Sequence, residues 1–275
     1  MERLLRKVER ELRLANYSPK TIQSYVGCIR QFSRSQDGRL LNVTQQDIED
    51  FILELKDLGR APKTLNLYLN AIKYLYREVL GRDQQINIRF SKTARKLPVV
   101  LSREEIAGLL NVTSNLKHRL ILSLAYGAGL RVSEAVELKV RDIDLDSRRI
   151  HIRNSKGQKD RITLLPEAVV SDLTVLLNNK GAQEHVFASN RGGGLTARTL
   201  QKVFSSSLNK ANIKKEATFH SLRHSFATHL IEDGVNLRYV QELLGHQNIR
   251  TTQRYTQVTN LKLASIESPL QKINR

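Results

Sequence analysis

The 275-residue sequence is short of several residue types, and each shortage narrows what the chain can be. Cys28 is the single cysteine, so neither a disulfide framework nor a cysteine-based zinc site can be built, and a reducing, cytoplasmic compartment is expected. Tryptophan is absent and Met1 is the only methionine, a composition that suits a heat-adapted source. No apolar run reaches the ~18 residues needed to cross a bilayer. The first seven residues, Met1 to Lys7, interleave charge with leucine and form no apolar signal-peptide core. No Gly-x4-Gly-Lys-Ser/Thr string occurs, and Gly127-Ala128-Gly129 lacks the third glycine and the preceding strand of a dinucleotide fingerprint, so no nucleotide cofactor is expected. Acidic residues are also scarce. Asp and Glu number 27 against 45 Lys and Arg, which leaves a net charge of +18 and a pI of about 10.2. The excess is shared by both halves of the chain, so both are expected to face a polyanion, nucleic acid first. A ribosomal or membrane-surface protein is the plainer alternative that composition alone leaves open.

What is present is mostly helical periodicity. Leu4, Leu5, Val8 and Leu12 share one face of a helix over residues 2–14. Ser18-Pro19 opens a second helix, with serine as cap and proline at the first helical position. Thr44 with Asp47 opens a third that stops at Gly59, and Ala61-Pro62 opens a fourth that runs to about Leu80. The second and fourth starts repeat at a spacing of 43 residues: Ser18-Pro19-Lys20-Thr21-Ile22 against Ala61-Pro62-Lys63-Thr64-Leu65. Each sets a lysine and a threonine in a first helical turn, where free amides and the helix dipole favour phosphate, so Lys20, Thr21, Lys63 and Thr64 are candidate DNA-backbone contacts. The plainer reading of each site is an ordinary proline helix start. Residues 81–100 break the pattern and read as a basic interdomain linker, with Lys92, Arg95 and Lys96 as further DNA-binding candidates. The expected organisation is therefore an N-terminal domain over 1–80, the linker, and a second domain over 101–275.

The second domain opens with the cap Ser102-Arg103-Glu104-Glu105. Residues 118–126 read as a buried helix that turns at Gly129, leaving Arg131 on the turn and Ser133 as a cap for the next helix. Residues 143–165 are the convincing β region: Arg149–Ile152 and Arg161–Leu164 alternate around a turn that carries Lys156 near its tip. A further short strand is expected at His185–Ala188. Thr196 to Ala211 is a helix with Arg198 and Lys202, both DNA-binding candidates, on one face. The fold class expected is mainly α, a four-helix N-terminal domain followed by a mostly helical domain with a small antiparallel sheet.

The last sixty residues concentrate the chemistry. His220, Arg223 and His224 fall at i, i+3 and i+4 and share a helix face. His-x3-His can hold a metal, but Ser221 stands where a zincin has its glutamate and no acidic third ligand is near. Two histidines flanking an arginine are costly to bury without an anion between them, and a phosphate supplies one. Gly245-His246 follows the next helix, and Tyr255 lies on one more short helix. By itself Tyr255 reads as a half-buried tyrosine like most of the eight in the chain.

Arg131 in Gly-Leu-Arg-Val-Ser-Glu, Lys156 in Ser-Lys-Gly-Gln-Lys-Asp-Arg, His220-Ser-Leu-Arg223, Leu-Gly-His246 and Tyr255 together resemble the tyrosine recombinase (phage integrase) family, and most closely its Xer-type members. The tail from Asn260 to Leu270 resembles that of archaeal single-protein Xer recombinases. Ser155 departs from the glycine that such sequences often carry before the lysine. The resemblance spans nearly the whole chain and implies a core-binding domain joined to a catalytic domain, acting on double-stranded DNA. It implies the following roles. Arg131 and Arg223 hold the nonbridging phosphate oxygens; Tyr255 attacks to form a 3′-phosphotyrosine; Lys156 protonates the leaving 5′ oxygen. His220 accepts the tyrosine's proton, His246 hydrogen-bonds the phosphate, and Glu134 orients the cluster. Neither metal nor cofactor is implied, because the phosphotyrosine conserves the bond energy for rejoining. A homotetramer on two DNA sites is implied, joined through the tail from about residue 256, with chromosome dimer resolution as the physiological role. Integration or transposition of a mobile element, DNA relaxation of the type IB topoisomerase kind, and a DNA-binding module without catalysis are the alternatives. Tyr255 is expected to stand away from Arg131 and Arg223 in the absence of DNA, because its connection to His246 is short and threonine-rich.

Overall fold

Two units, residues 1–95 and 96–275, each close around their own apolar core in this computed structural model. The structure describes residues 1–82, 86–92, 97–153, 160–189, 192–246 and 248–256. In the first unit, helix α1 (Glu2–Leu14) buries Leu5, Val8 and Leu12 along one stripe. Helix α2 (Pro19–Ser35) starts at Ser18, whose hydroxyl accepts the Thr21 amide at 3.2 Å. Helix α3 (Gln45–Asp57) is closed by a reciprocal cap, with Asp47 accepting the Thr44 amide at 2.7 Å and Thr44 accepting the Asp47 amide at 3.2 Å. Helix α4 (Pro62–Tyr74) continues through a π-helical turn over Leu75–Val79. Phe32 and Phe51 meet at 5.0 Å between ring centres, among Leu55, Leu69 and Ile72. Burial of these rings and aliphatic chains is what holds four helices whose outer faces are charged.

Among its described residues the second unit has eight α-helices: α5 (Arg103–Asn111), α6 (Leu116–Gly127), α7 (Val132–Glu137), α8 (Val170–Leu177), α9 (Ala197–Lys210), α10 (Phe219–Glu232), α11 (Leu237–Leu244) and α12 (Ile249–Thr256). Its antiparallel sheet has the order β1 (Ile143–Asp144), β2 (Arg149–Ile152), β3 (Arg161–Leu164), with Ile152 opposite Arg161. Helix α10 is the axis of the unit. Ten of its fourteen residues are buried, and it packs on α6, α9, α11 and α12. Gly129 follows α6 at φ 61°, and a Cβ there would stand 2.5 Å from the Phe226 ring, so the turn before Arg131 closes tightly onto α10.

Two local expectations change, and two features were not anticipated. The segment at His185–Ala188 is no strand: it makes only isolated bridges, Lys139 with His185 and Ala188 with Gly194, and the third strand is Ile143–Asp144. Four apolar-rich residues cannot be placed in a sheet when neighbouring backbone already offers partners elsewhere, as Val186 N–H does to Leu138. Ser133 does not cap α7; Arg131 occupies the N-cap position and Glu134 accepts its backbone N–H at 2.8 Å. Helix α8 lies where the sequence offered no capping signal: Val169, in the N-cap place, makes no side-chain cap. Strand β3 carries the most consequential reversal of pattern. Arg161 and Thr163 face inward, while Ile162 and Leu164 are 48 % and 45 % exposed.

Candidate active site

Glu134 is the centre of a buried charge cluster. Arg161 donates to it with both ends of its fork, at 2.7 and 2.8 Å, and Arg131 donates through Nη1 at 2.6 Å. Arg223 Nη1 lies 3.7 Å away. Burial alone would raise the Glu134 pKa. The hydrogen bonds and charge of Arg161, then the Arg131 backbone N–H and guanidinium, bring it down to about 2. Three guanidiniums thus share one carboxylate, and the excess positive charge is suited to an anion.

Arg223, on α10, is fully buried. Nη1 donates to the Gly129 carbonyl at 2.6 Å, and Nη2 donates to the Leu244 carbonyl and meets His246 Nε2 at 3.2 Å. Its Nε has no hydrogen-bond partner. Burial, then the Arg131 charge, lower its pKa to about 9. A buried donor of this kind is costly unless an acceptor reaches it, and a phosphate oxygen is an acceptor of the right charge.

His246 follows Gly245, which ends α11 in the left-handed region at φ 62°. A guanidinium can only donate, so His246 Nε2 accepts from Arg223 and Nδ1 carries the proton, donating to Thr252 Oγ1 at 2.9 Å. Burial and then the charges of Arg223, Arg131 and Arg161 push the His246 pKa down to about 3. His220 is exposed at one side of its ring; partial burial and then Arg223 and Arg131 lower its pKa.

Tyr255 is 2 % exposed, packed among Phe226, Ala227, Ile231, Val240 and Leu244. Its ring stacks at 6.3 Å on His246, and its hydroxyl lies 3.1 Å from His224 Nδ1. The His224 ring in turn meets His220 edge-on at 4.5 Å. The expectation of a displaced tyrosine is therefore not met. Tyr255 sits inside its own unit, stacked on the same His246 whose Nε2 meets Arg223, because the apolar faces of α10 and α11 provide a slot that the ring fills. The histidine against its hydroxyl is His224, one residue beyond Arg223, and not His220.

Of the residues singled out from sequence, Arg131, Glu134, His220, Arg223, His246 and Tyr255 thus converge. Lys156 lies outside the described residues, as do Arg95, Lys96 and the tail beyond Thr256. Lys20 and Lys63 are exposed in the first turns of α2 and α4 in the other unit, with Thr21 and Thr64 half-buried beside them; Lys92 is exposed. Arg198 and Lys202 are exposed on α9. Sequence reasoning missed Arg161 and Thr252, and it weighed His224 as half of a metal pair or, with His220, as a flank of a phosphate-binding Arg223, without a link to Tyr255. Among the described residues, no three His, Cys, Asp or Glu side chains converge as a metal set, and no helix is long and apolar enough to cross a membrane. Thr252, six residues past His246, was detectable as a helix-face partner of Tyr255; nothing local distinguishes Arg161 from the other basic residues of its hairpin.

The site thus consists of three arginines around one buried carboxylate, with Tyr255 in an apolar slot of the same unit. Residues 99–262 match the phage integrase family, and residues 4–86 match the phage integrase N-terminal SAM-like domain. The chain belongs to the phage integrase family and is a Xer-type tyrosine recombinase, an enzyme of site-specific DNA recombination. It is 37 % identical to tyrosine recombinase XerA of Thermococcus kodakarensis over 262 residues, 93 % of this chain and 91 % of that protein. It is 34 % identical to tyrosine recombinase XerD of Halalkalibacterium halodurans, over 94 % of this chain and 92 % of that one. Among solved structures it is similar to XerH recombinase bound to palindromic difH substrate in a post-cleavage complex. The TM-score is 0.72 and the identity 25 %, covering 89 % of this chain and 78 % of that one.

Proposed function

We propose that Tyr255 is the nucleophile of this recombinase and that the cluster around Glu134 is its phosphate clamp. Phosphoryl transfer spreads negative charge over nonbridging oxygens, so catalysis rests on positioned cations and on proton handling. Arg131 and Arg223 hold those oxygens, and the observation that carries the reading is the buried, unpartnered Nε of Arg223 in a cluster where three arginines share one carboxylate. Glu134 keeps both guanidiniums in place. His246, held against Arg223 through Nε2, borders the phosphate. His220 borders the same pocket, and Lys156 protonates the leaving 5′ oxygen. The product is a 3′-phosphotyrosine that the free 5′ hydroxyl reopens during rejoining. Lys20, Thr21, Lys63, Thr64, Lys92, Arg95, Lys96, Arg198 and Lys202 bind the DNA backbone.

The physiological reaction is resolution of chromosome dimers in the cytoplasm, carried out by a homotetramer on two DNA sites through the tail beyond about residue 256. The similarity to proteins named XerA and XerD supports this. The test begins by selecting bound sequences from random duplex DNA. The selected site, nicked next to the cleavage position, is incubated with the protein and run on a denaturing gel. Wild type is expected to give a covalent 3′ adduct and Tyr255→Phe none. No adduct from wild type, or an adduct from Tyr255→Phe, overturns the assignment. Crosslinking and light scattering on paired sites would show four subunits; two subunits at saturation would remove the tetramer.

A further inference from the structure

We propose that His224 is a catalytic residue of this recombinase, the base that takes the phenolic proton of Tyr255 as it attacks. The inference rests on the reading of Tyr255 as nucleophile and adds the group that activates it. A tyrosine hydroxyl keeps its proton near neutral pH, its ordinary pKa being about 10, and a neutral imidazole in hydrogen-bond contact is the side chain suited to remove it.

His224 has that contact, with Nδ1 3.1 Å from the hydroxyl. The other neighbours are less suited. His246 stacks on the phenol ring, but both its nitrogens are engaged, Nε2 by Arg223 and Nδ1 by Thr252. Burial among arginines also opposes its taking up a proton. Arg223 is a donor only. His220 stands behind His224, ring against ring at 4.5 Å, with one side open to solvent. That places His220 where a proton held on His224 can exchange with water between cleavage and rejoining. Among the described residues, the groups facing His224 include His220 on its own helix and Tyr255 on α12, with His246 of the α11 turn against the phenol ring.

The positions follow from helix geometry. Arg223 and His224 are adjacent on α10 and so point about 100° apart. Arg223 points into the Glu134 cluster, while His224 points toward α12, where the apolar slot holds Tyr255. One helix therefore delivers the phosphate-binding cation and the base from consecutive residues. In the step itself, the Tyr255 Oη–H bond breaks and its proton passes to His224. Oη bonds to phosphorus, the bond from phosphorus to the 5′ oxygen breaks, and that oxygen takes a proton from Lys156. Rejoining runs in reverse: the 5′ hydroxyl returns a proton to Lys156, and His224 returns one to the departing phenolate.

Single-turnover cleavage of the nicked selected site tests this. His224→Gln can accept a hydrogen bond but not a proton, and is expected to cleave roughly 10²–10⁴-fold more slowly while binding DNA as wild type does. Replacing Tyr255 in that variant by a ring-fluorinated tyrosine, whose phenol ionises near neutral pH, is expected to restore most of the rate, because no base is then needed. A 5′-bridging phosphorothioate, whose sulfur leaves without a proton, is expected to rescue Lys156→Ala and not His224→Gln. Cleavage by His224→Gln at the wild-type rate, no recovery with fluorotyrosine, or rescue by the 5′ sulfur would each overturn the assignment. Should His224→Gln fail to fold, His224→Asn carries the same three arms. A wild-type protein that forms no adduct removes the reading of Tyr255 itself, which separates that failure from this one.

Discussion

At the scale of single residues, the cluster makes its strongest statement through protonation. Glu134 is held at about 2 and His246 at about 3, both below their ordinary ranges. A depressed carboxylate contributes stability above its unfolded pKa that is lost as pH falls through the folded value. A depressed histidine behaves alike, since the unfolded chain takes up its proton first. Both therefore destabilise the fold in acid, His246 from about 6.5 downward and Glu134 from about 4.3 downward. Urea midpoints are expected to fall as pH drops from 7 to 4. A His246→Gln variant, lacking the histidine, is expected to have a flatter profile between pH 6.5 and 5; an unchanged slope would remove His246 from the account. Arg223→Lys keeps a charge but cannot span two oxygens or the Gly129 and Leu244 carbonyls together. Its covalent adduct is expected to drop at least about a hundredfold in a gel assay.

Among elements, strand β3 joins parts of the site that are distant in sequence. Arg161 binds Glu134 of α7 through its fork and donates through Nε to the Leu243 carbonyl of α11 at 2.8 Å. Arg161→Ala leaves a buried carboxylate short of its main partner, and denaturant unfolding is expected to show a loss of roughly 3–5 kcal/mol. Gly245 belongs to the same junction. A Cβ there would stand 2.7 Å from Arg161 Cδ on a backbone already at φ 62°. Gly245→Ala is expected to cost about 1–2 kcal/mol from the left-handed backbone alone, before the contact is counted. It should also slow cleavage by shifting His246. A variant with wild-type denaturation and cleavage would show that the turn has room that the structure does not give it.

For the whole molecule, the charge of +18 predicts binding dominated by phosphate contacts. Titration by fluorescence anisotropy across a salt series is expected to give a log–log slope of about −0.9 per neutralised phosphate, and Lys20→Ala with Lys63→Ala to reduce its magnitude by about two such contacts. A flat profile would remove the N-terminal unit from the backbone contacts. How far this protein was legible in advance depended on the range of the forces involved. Helix starts at Ser18, Thr44 and Ser102 were readable because a cap is settled by residues three apart, and the apolar stripes because helical period places them on one face. The convergence of Arg131, His220, Arg223, His246 and Tyr255 was legible through family resemblance, not through any local property. Arg161 was not legible at all: strand alternation does not say which face is inward, and an arginine turns inward only because a carboxylate from another helix waits there. The packing of Tyr255 against His224 was likewise decided by α10, α11 and α12 together. The sequence by itself determined the helices, the net charge and the list of reactive side chains, all products of short-range geometry and composition. Only the tertiary structure decided that three arginines share Glu134 and that His224 meets the tyrosine, because burial and long-range pairing exist only once the helices have packed.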